Sequence, residues 1–469
     1  MPYQVQQEDI RLLKQSPKTN YVSLELQNNV FKTIDKMEGQ LVSDSYTIDA
    51  DSDIRRTFTL TLVVSDSSFN IGENSKIWLN KYIKITIGTF NLRTESIVWY
   101  PVGTYLFTDT NYKYDSVSNI LTLTCVDLMS KLTGLRNGQL TGLTTSIPQG
   151  SVLRDTIISV ITQLGGFPNY RIEDAGKPIP YDLNFSTGAT VYEILTTLRD
   201  LYAGYEMFFD IDNVFVFQPI PTCKDTDYFL VDTDLKDLVI SEEVSNSFSD
   251  VKNVTEVWGQ NIEADRYTDS VTMSGDTYTL TFTSAIVLSN YLDISFKASA
   301  NNVANAKIKF NTSTVYNILD EDGVNIIANR IVAGKTYVVR YSNSTVKLLG
   351  QNQIYAIWKD TNADSPYNIN KIGEICQIFS GGDYEKIYSD DLALERAKYE
   401  NWLKTRLQDA TVLEMINIPW MDVNKKILYQ SKVTGVTQGY ITKSINGSTT
   451  TGTMTTNIIK YYPLYPDII

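Results

Sequence analysis

Acidic side chains at close spacing are the groups in this chain most able to do chemistry, beginning with Asp49, Asp51 and Asp53. Alternating acids open a calcium-binding loop when Gly follows at the sixth position and Glu at the twelfth, one for the sharp turn and one as bidentate ligand. Here those places hold Ile54 and Leu60, so the triplet reads as a turn with solvated acids. LDEDGVN fails in the same way, because Gly323 at position six puts Ile318 at position one and Asn329 at position twelve. Its Asp322-Gly323 step reads as a hairpin turn. Paired carboxylates can hydrolyse glycans without histidine, and Glu242-Glu243 and Asp390-Asp391 are adjacent pairs. Neither has glycosidase context, and both border strands or helices where surface acids are common. No catalytic residue is assigned.

The chain has no histidine, which excludes Ser-His-Asp and Cys-His catalysis and His-ligated zinc within it. Cys125, Cys223 and Cys376 stand about a hundred or more residues apart with no CxxC pair, so no metal site is assigned. LTLTCVDL and IGEICQIF offer small apolar core positions, and the three cysteines are expected as buried free thiols, in keeping with a reducing compartment. GxSxG, GxGxxG and P-loop patterns are absent, and no cofactor is expected. Among the 6 Trp and 30 Tyr, Tyr355 and Trp358 in QIYAIWKD are the candidates for stacking on a sugar, with core packing as the simpler role.

The 469 residues imply two to four domains. A net charge of −13 argues against tight nucleic-acid binding, which needs clustered Lys and Arg to displace counterions. MPYQVQQEDIRLLKQ lacks the apolar core of a signal peptide, and no run approaches the roughly 20 apolar residues of a membrane span. A soluble chain without membrane insertion is expected.

Strands must position most of these groups. In RTFTLTLVV the residues Phe58, Leu60, Leu62 and Val64 fall on one face and Thr57, Thr59, Thr61 and Val63 on the other. That is the period of two of a half-buried strand. WLNKYIKITIGT, WYPVGTYLFTDTNYKYD and NILTLTCVDLMSKL continue the pattern between Gly, Asn and Pro turn signals. Leu153, Ile157, Val160, Ile161 and Leu164 stripe a helix that Gly165-Gly166 ends. Thr190 and Glu193 have capping-box spacing before a second helix, and YEMFFDIDNVFVFQP reads as a hairpin turning at Asp210 to Asn213. From Ile262 to about Ala363 the chain alternates regularly and is rich in Ser, Thr and Asn, as in a β-sandwich. Ala393, Ala397, Leu403, Leu407 and Ala410 stripe a late helix in which Glu400 precedes Lys404 by four residues.

Certain of these segments resemble one family. IRRTFTLTL (54–62), IWLNKYIKITIG (77–88), VWYPVGTYL (98–106) and LTLTCVDLMSKL (121–132) are similar to the N-terminal barrel of phage tail hub proteins. That family covers baseplate hubs of contractile tails and phage-like bacteriocins, and the hub region of tail-associated proteins of long non-contractile tails. TGATVYEILTTLRDLYAGYEMFFDIDNVFVFQP (187–219) resembles its helix and hairpin, and VKNVTEVWG (251–259) the strand opening its second barrel. ALERAKYENWLKTRL (393–407) and IPWMDVNKKILY (418–429) resemble its closing helix and strand.

The resemblance implies a mainly β fold with an α+β part: two tail-tube-like β-barrels, a small α+β domain and an inserted β-sandwich. The expected boundaries are 1–35 for an N-terminal polar arm and strand, 36–139 for the first barrel and 140–222 for the α+β domain. The second barrel takes 223–261 plus 364–469, and the sandwich 262–363. It further implies a non-enzymatic homotrimeric hub in the distal tail or baseplate of a virion or phage-like particle, made in the bacterial cytoplasm. Such a hub joins the six-fold tail tube or distal tail ring to a three-fold central spike or fibre, contacts other baseplate proteins, and lets DNA pass its lumen without specific binding. The alternative is a carbohydrate-binding adhesin working through 262–363.

Overall fold

The computed structural model describes residues 3–37, 40–64, 71–114, 117–142, 144–202, 204–221, 227–404 and 410–460. The fold is mainly β with small α parts. Two compact units divide it, one drawn from Met1–Arg199, Gly204–Ser247 and Gln408–Pro463, the other built on Phe248–Leu407.

A twelve-stranded sheet dominates the first unit. Its order is Thr33–Met37, Asn20–Gln27, Tyr82–Asn91, Ser96–Tyr114, Asn119–Asp127, Arg56–Val64, Gln40–Asp49, Thr437–Ser448, Thr453–Lys460, Ala410–Ile416 and Val239–Ser245. Lys426–Gln430 pairs with Thr437–Ser448 off this path. The alternation in RTFTLTLVV does what its period requires: Phe58, Leu60, Leu62 and Val64 are buried and the intervening residues half-buried. Across the ladder Phe58 faces Cys125, Leu60 faces Leu123 and Leu62 faces Leu121, all in the core. Leu413, Met415, Tyr429, Ile445 and Ile458, from the C-terminal strands, belong to the same core cluster. The strands assigned to two barrels thus form one continuous sheet over one core, joined where Thr437–Ser448 pairs with Gln40–Asp49.

The N-terminal polar arm contains a helix, Gln7–Leu13, whose Leu12 and Leu13 are buried in the core. Asp9 holds it there, accepting from Gln6 N at 2.7 Å, Tyr3 Oη at 3.0 Å and Tyr100 Oη at 2.9 Å. In the α+β part, helix Leu153–Ser159 continues as a wider turn, Val160–Leu164. Thr190 Oγ1 caps helix Val191–Asp200 by accepting from Glu193 N at 3.0 Å. Tyr205–Phe209 pairs with Phe215–Pro219 across a turn in which Asn213 has φ 64° and Asp210 Oδ1 accepts from Asp212 N and Val214 N.

The second unit holds a three-stranded sheet, Gln353–Lys359, Val254–Asn261 and Cys376–Phe379, beside helix Asp390–Lys404. Val254–Asn261 was expected to open the second barrel; its partners are these two strands instead, and Val239–Ser245 takes the place in the large sheet. The residues around 262–363 form one eight-stranded path folded over a single core. Tyr278 and Phe296 lie on strands well apart in that path, yet their rings meet at 5.7 Å.

Two local expectations are corrected. Cys376 is exposed, because in Cys376–Phe379 it falls on the outward face of a sheet that buries only the other face against the helix. Cys125 is buried as expected, and Cys223 lies outside the described residues. Ala410 starts a strand rather than extending the helix, and Leu407 lies outside the described residues. Glu400 pairs with Arg396 at 2.8 Å, one turn earlier in the helix, and the Lys404 side chain lies outside the described residues.

Candidate functional site

Most of the acidic candidates have a structural partner. Lys443 Nζ lies 3.0 Å from Asp51, Tyr192 Oη donates to Asp53 at 2.8 Å, and Asp49 Oδ1 accepts from Asp51 N at 2.9 Å. The triplet is a turn tied to neighbouring elements. Glu242 accepts from Tyr429 Oη at 3.0 Å, Ser431 Oγ at 2.6 Å and Lys432 N at 2.6 Å. Burial and this carboxylate push the Tyr429 phenol up. Glu243 is the next strand residue and so presents the opposite face.

Asp390, at the start of its helix, accepts from Tyr355 N at 3.1 Å. Burial pushes its carboxyl up to about 6 against the opposing pull of that hydrogen bond and of Arg330. Asp391 is ion-paired with Arg330 and accepts from Glu321 N at 3.3 Å. Among the described residues no group of three or more acids or thiols is arranged to hold a metal.

Tyr355 and Trp358 do not form a joint platform. Three residues apart on a strand, they fall on opposite faces. Trp358 pairs across the ladder with Thr255, which is fully buried and hydrogen-bonded to Asn401 of the helix. Tyr355 pairs with Trp258 on the outward face, their ring centroids 4.3 Å apart. Ile378 and Ile357 are exposed on that face too. Burial, then Glu256, pushes the Tyr355 phenol up. Trp258 was not singled out from the sequence, although its place in EVWG, two residues after Glu256, already put both on one face.

The junction within the large sheet is tightly built. Asp49 faces Ser444, Ile48 faces Ile445 and Tyr46 faces Gly447. A Cβ on Gly447 would lie 2.3 Å from the Tyr46 ring, so the close approach requires glycine. Tyr46 stacks on Phe58 at 5.6 Å and donates through its hydroxyl to Asn417. One strand further, two adjacent arginines knit three parts of the chain. Arg55 is ion-paired with Glu206, which also accepts from Asn424 Nδ2 at 2.7 Å, and its guanidinium lies 3.9 Å from the centre of the Phe208 ring. Arg56 donates to Asp422 at 2.8 Å and to the Phe209 carbonyl. Burial acts to raise the Asp422 pKa, but Arg56, Arg55 and Lys425 outweigh it and hold the carboxylate below its usual range. This knot was not read from the sequence; its signal was two adjacent charges, Arg55 and Arg56, at the start of a strand with one apolar face.

The sheet ends in Thr33–Met37 on one side and Val239–Ser245 on the other. Ile34 and Ile240, on these edge strands, are exposed. No helix among the described residues is long and apolar enough to cross a membrane.

Comparison with known proteins bears on this architecture. Residues 364–465 match a family described as a domain of unknown function, DUF5048. No curated protein sequence matches the chain significantly. The structural neighbours are phage tail proteins. The 43 kDa tail protein of prophage MuSo2 from Shewanella oneidensis superposes with a TM-score of 0.53 at 11% identity, over 95% of this chain and 99% of that one. A tail protein from Neisseria meningitidis MC58 gives 0.51 at 8% identity, over 95% and 98%. The chain shares the fold of these tail proteins.

Proposed function

We propose that this chain is a structural hub at the distal end of a phage or phage-like tail, joining a six-fold tube to a three-fold spike or fibre. One observation carries the reading: two sets of barrel-type strands run edge to edge in one sheet whose end strands each have a single strand partner among the described residues. A chain presenting two such sets gives six around a three-fold axis. One rim then suits a six-fold tube and the other a three-fold partner. Free strand edges are also the groups that pair between chains. Copies closing head to tail, Thr33–Met37 against Val239–Ser245, would satisfy both edges. Interfaces of this permanent kind bury on the order of 2,000 Å² or more. The acidic surface would line or border the channel and let DNA pass without adhering. The carboxylates serve structural bonds, and the role is non-enzymatic.

Cross-linking tests it. With Cys223 and Cys376 replaced by Ser, Ile34→Cys and Ile240→Cys are introduced together and assembled particles oxidised. The reading expects a disulfide ladder ending at three copies. Monomer alone, from particles that incorporate the variant, would overturn it.

A second reading is favoured by the half-exposed Trp258–Tyr355 pair, since adjacent aromatic rings on a sheet face can stack a sugar. It places an adhesin surface on these two residues rather than on Tyr355 with Trp358. Binding of cell-wall glycans by the full chain, lost in Trp258→Ala and kept in Trp358→Phe, would support it.

A further inference from the structure

We propose that the open cleft walled by the chain after the first helix and by the turn at 449–452 is a binding site for an amphipathic monocarboxylate, anchored by Lys18. The cleft measures about 880 Å³ and lies wholly within the first unit. Its two lysines differ in one decisive respect. Lys14 Nζ donates to the Thr233 carbonyl at 2.7 Å and to Asp237 at 3.0 Å. Lys18 Nζ is buried and has no acceptor among the described residues. An ammonium withdrawn from water without a partner is costly, and burial brings the Lys18 pKa down to about 8. Thr449 Oγ1, in the same lining, is also buried and has no partner among the described residues.

The donors still free define the ligand's charge. The amides of Thr449 and Thr450 are committed to Asp44, and those of Thr451 and Gly452 to Ser448. That leaves one unpaired cation, Lys18, with the hydroxyls of Ser16, Thr19 and Thr449 in the same lining, a charge that matches a monoanion rather than a phosphate dianion. The other charged lining residues, Lys14 and Asp237, neutralise each other. Leu13, Leu41, Leu238 and Ile416 line the same cleft, so the ligand carries an apolar body beside its carboxylate.

The test is calorimetric titration of the full chain with hexanoate, hexanol and hexylamine. Hexanoate is expected to bind saturably, about tenfold or more tighter than hexanol, with hexylamine weaker still. Lys18→Met is expected to fold, because it keeps the stem and removes the unpaired charge, and to weaken hexanoate about tenfold or more. Lys18→Arg should retain binding. Equal affinity for hexanoate and hexanol, unchanged affinity in folded Lys18→Met, or no saturable binding by the wild type would each overturn the proposal.

Discussion

Replacing Arg56 by Met tests whether the arginine knot holds the first unit together. Arg56 is 3% exposed and bonded to Asp422 and to the Phe209 carbonyl. Removing one partner of a buried ion pair costs about 3–5 kcal/mol, chiefly because the other charge is left uncompensated. The structure argues for the low end. Asp422 keeps a 21% exposed side chain, and Arg55 and Lys425 still act on it. A loss of about 3 kcal/mol is expected. Urea unfolding followed by tryptophan fluorescence reads it, since Trp420 lies two residues from Asp422. A cycle with Asp422→Asn should give a coupling of about 2 kcal/mol.

The pH dependence has a definite sign. The folded-state pKa of Asp422 lies below its unfolded value, so the pair's contribution is full above the ordinary carboxylate range and is lost as pH falls through the folded pKa. The deficit of Arg56→Met should therefore shrink in acid. A deficit under about 1 kcal/mol, a coupling near zero, or a deficit unchanged in acid would refute the reasoning.

Other perturbations follow from the same geometry. Asp390→Asn should stabilise the second unit by up to about 2 kcal/mol at pH 7, because a carboxyl raised to about 6 is a burden above that pH and none once the acid is protonated. Melting curves of the variant and wild type should converge toward pH 4. Lys18→Met should raise the melting temperature at neutral pH, with the gap closing as pH rises from about 8 through the ordinary lysine value, where wild-type Lys18 loses its charge. Gly447→Ala should cost about 1–3 kcal/mol by overpacking Tyr46, measured by urea midpoint, and Tyr46→Ala in the same chain should remove most of the extra penalty. In native protein a thiol reagent should label Cys376 and leave Cys125 untouched, because Cys125 is fully buried and burial pushes its thiol up; peptide mapping after a short pulse checks it.

Local structure was legible wherever a single period governed it. Phe58 to Val64 follows a burial pattern written in the alternation of its residues, and Thr190 with Glu193 and Asp210 with Asn213 are local chemistry that tertiary context leaves alone. Sheet membership was less legible. Val254–Asn261 reads as a strand either way, and only long-range pairing with Gln353–Lys359 and Cys376–Phe379 decides its sheet. The same limit hid the continuity between Gln40–Asp49 and Thr437–Ser448, strands nearly four hundred residues apart.

Among the site residues, Tyr355 and Trp358 stand three apart on one strand and so fall on opposite faces, and it is Trp258 on the neighbouring strand that meets Tyr355. Cys376 looked like a core residue because IGEICQIF is apolar, but a sheet covered on one face buries only alternate residues. The unpaired state of Lys18 depends on which carboxylates the fold brings near, and no local pattern encodes that.

The central claim is that copies of this chain close into a ring through the two end strands of the large sheet. A cryo-EM map of the assembled particle tests it most directly. The account predicts three copies about one axis, with Thr33–Met37 of each paired to Val239–Ser245 of the next and six strand sets facing the tube. Peripheral single copies, or a ring in which both strands face solvent, would contradict it.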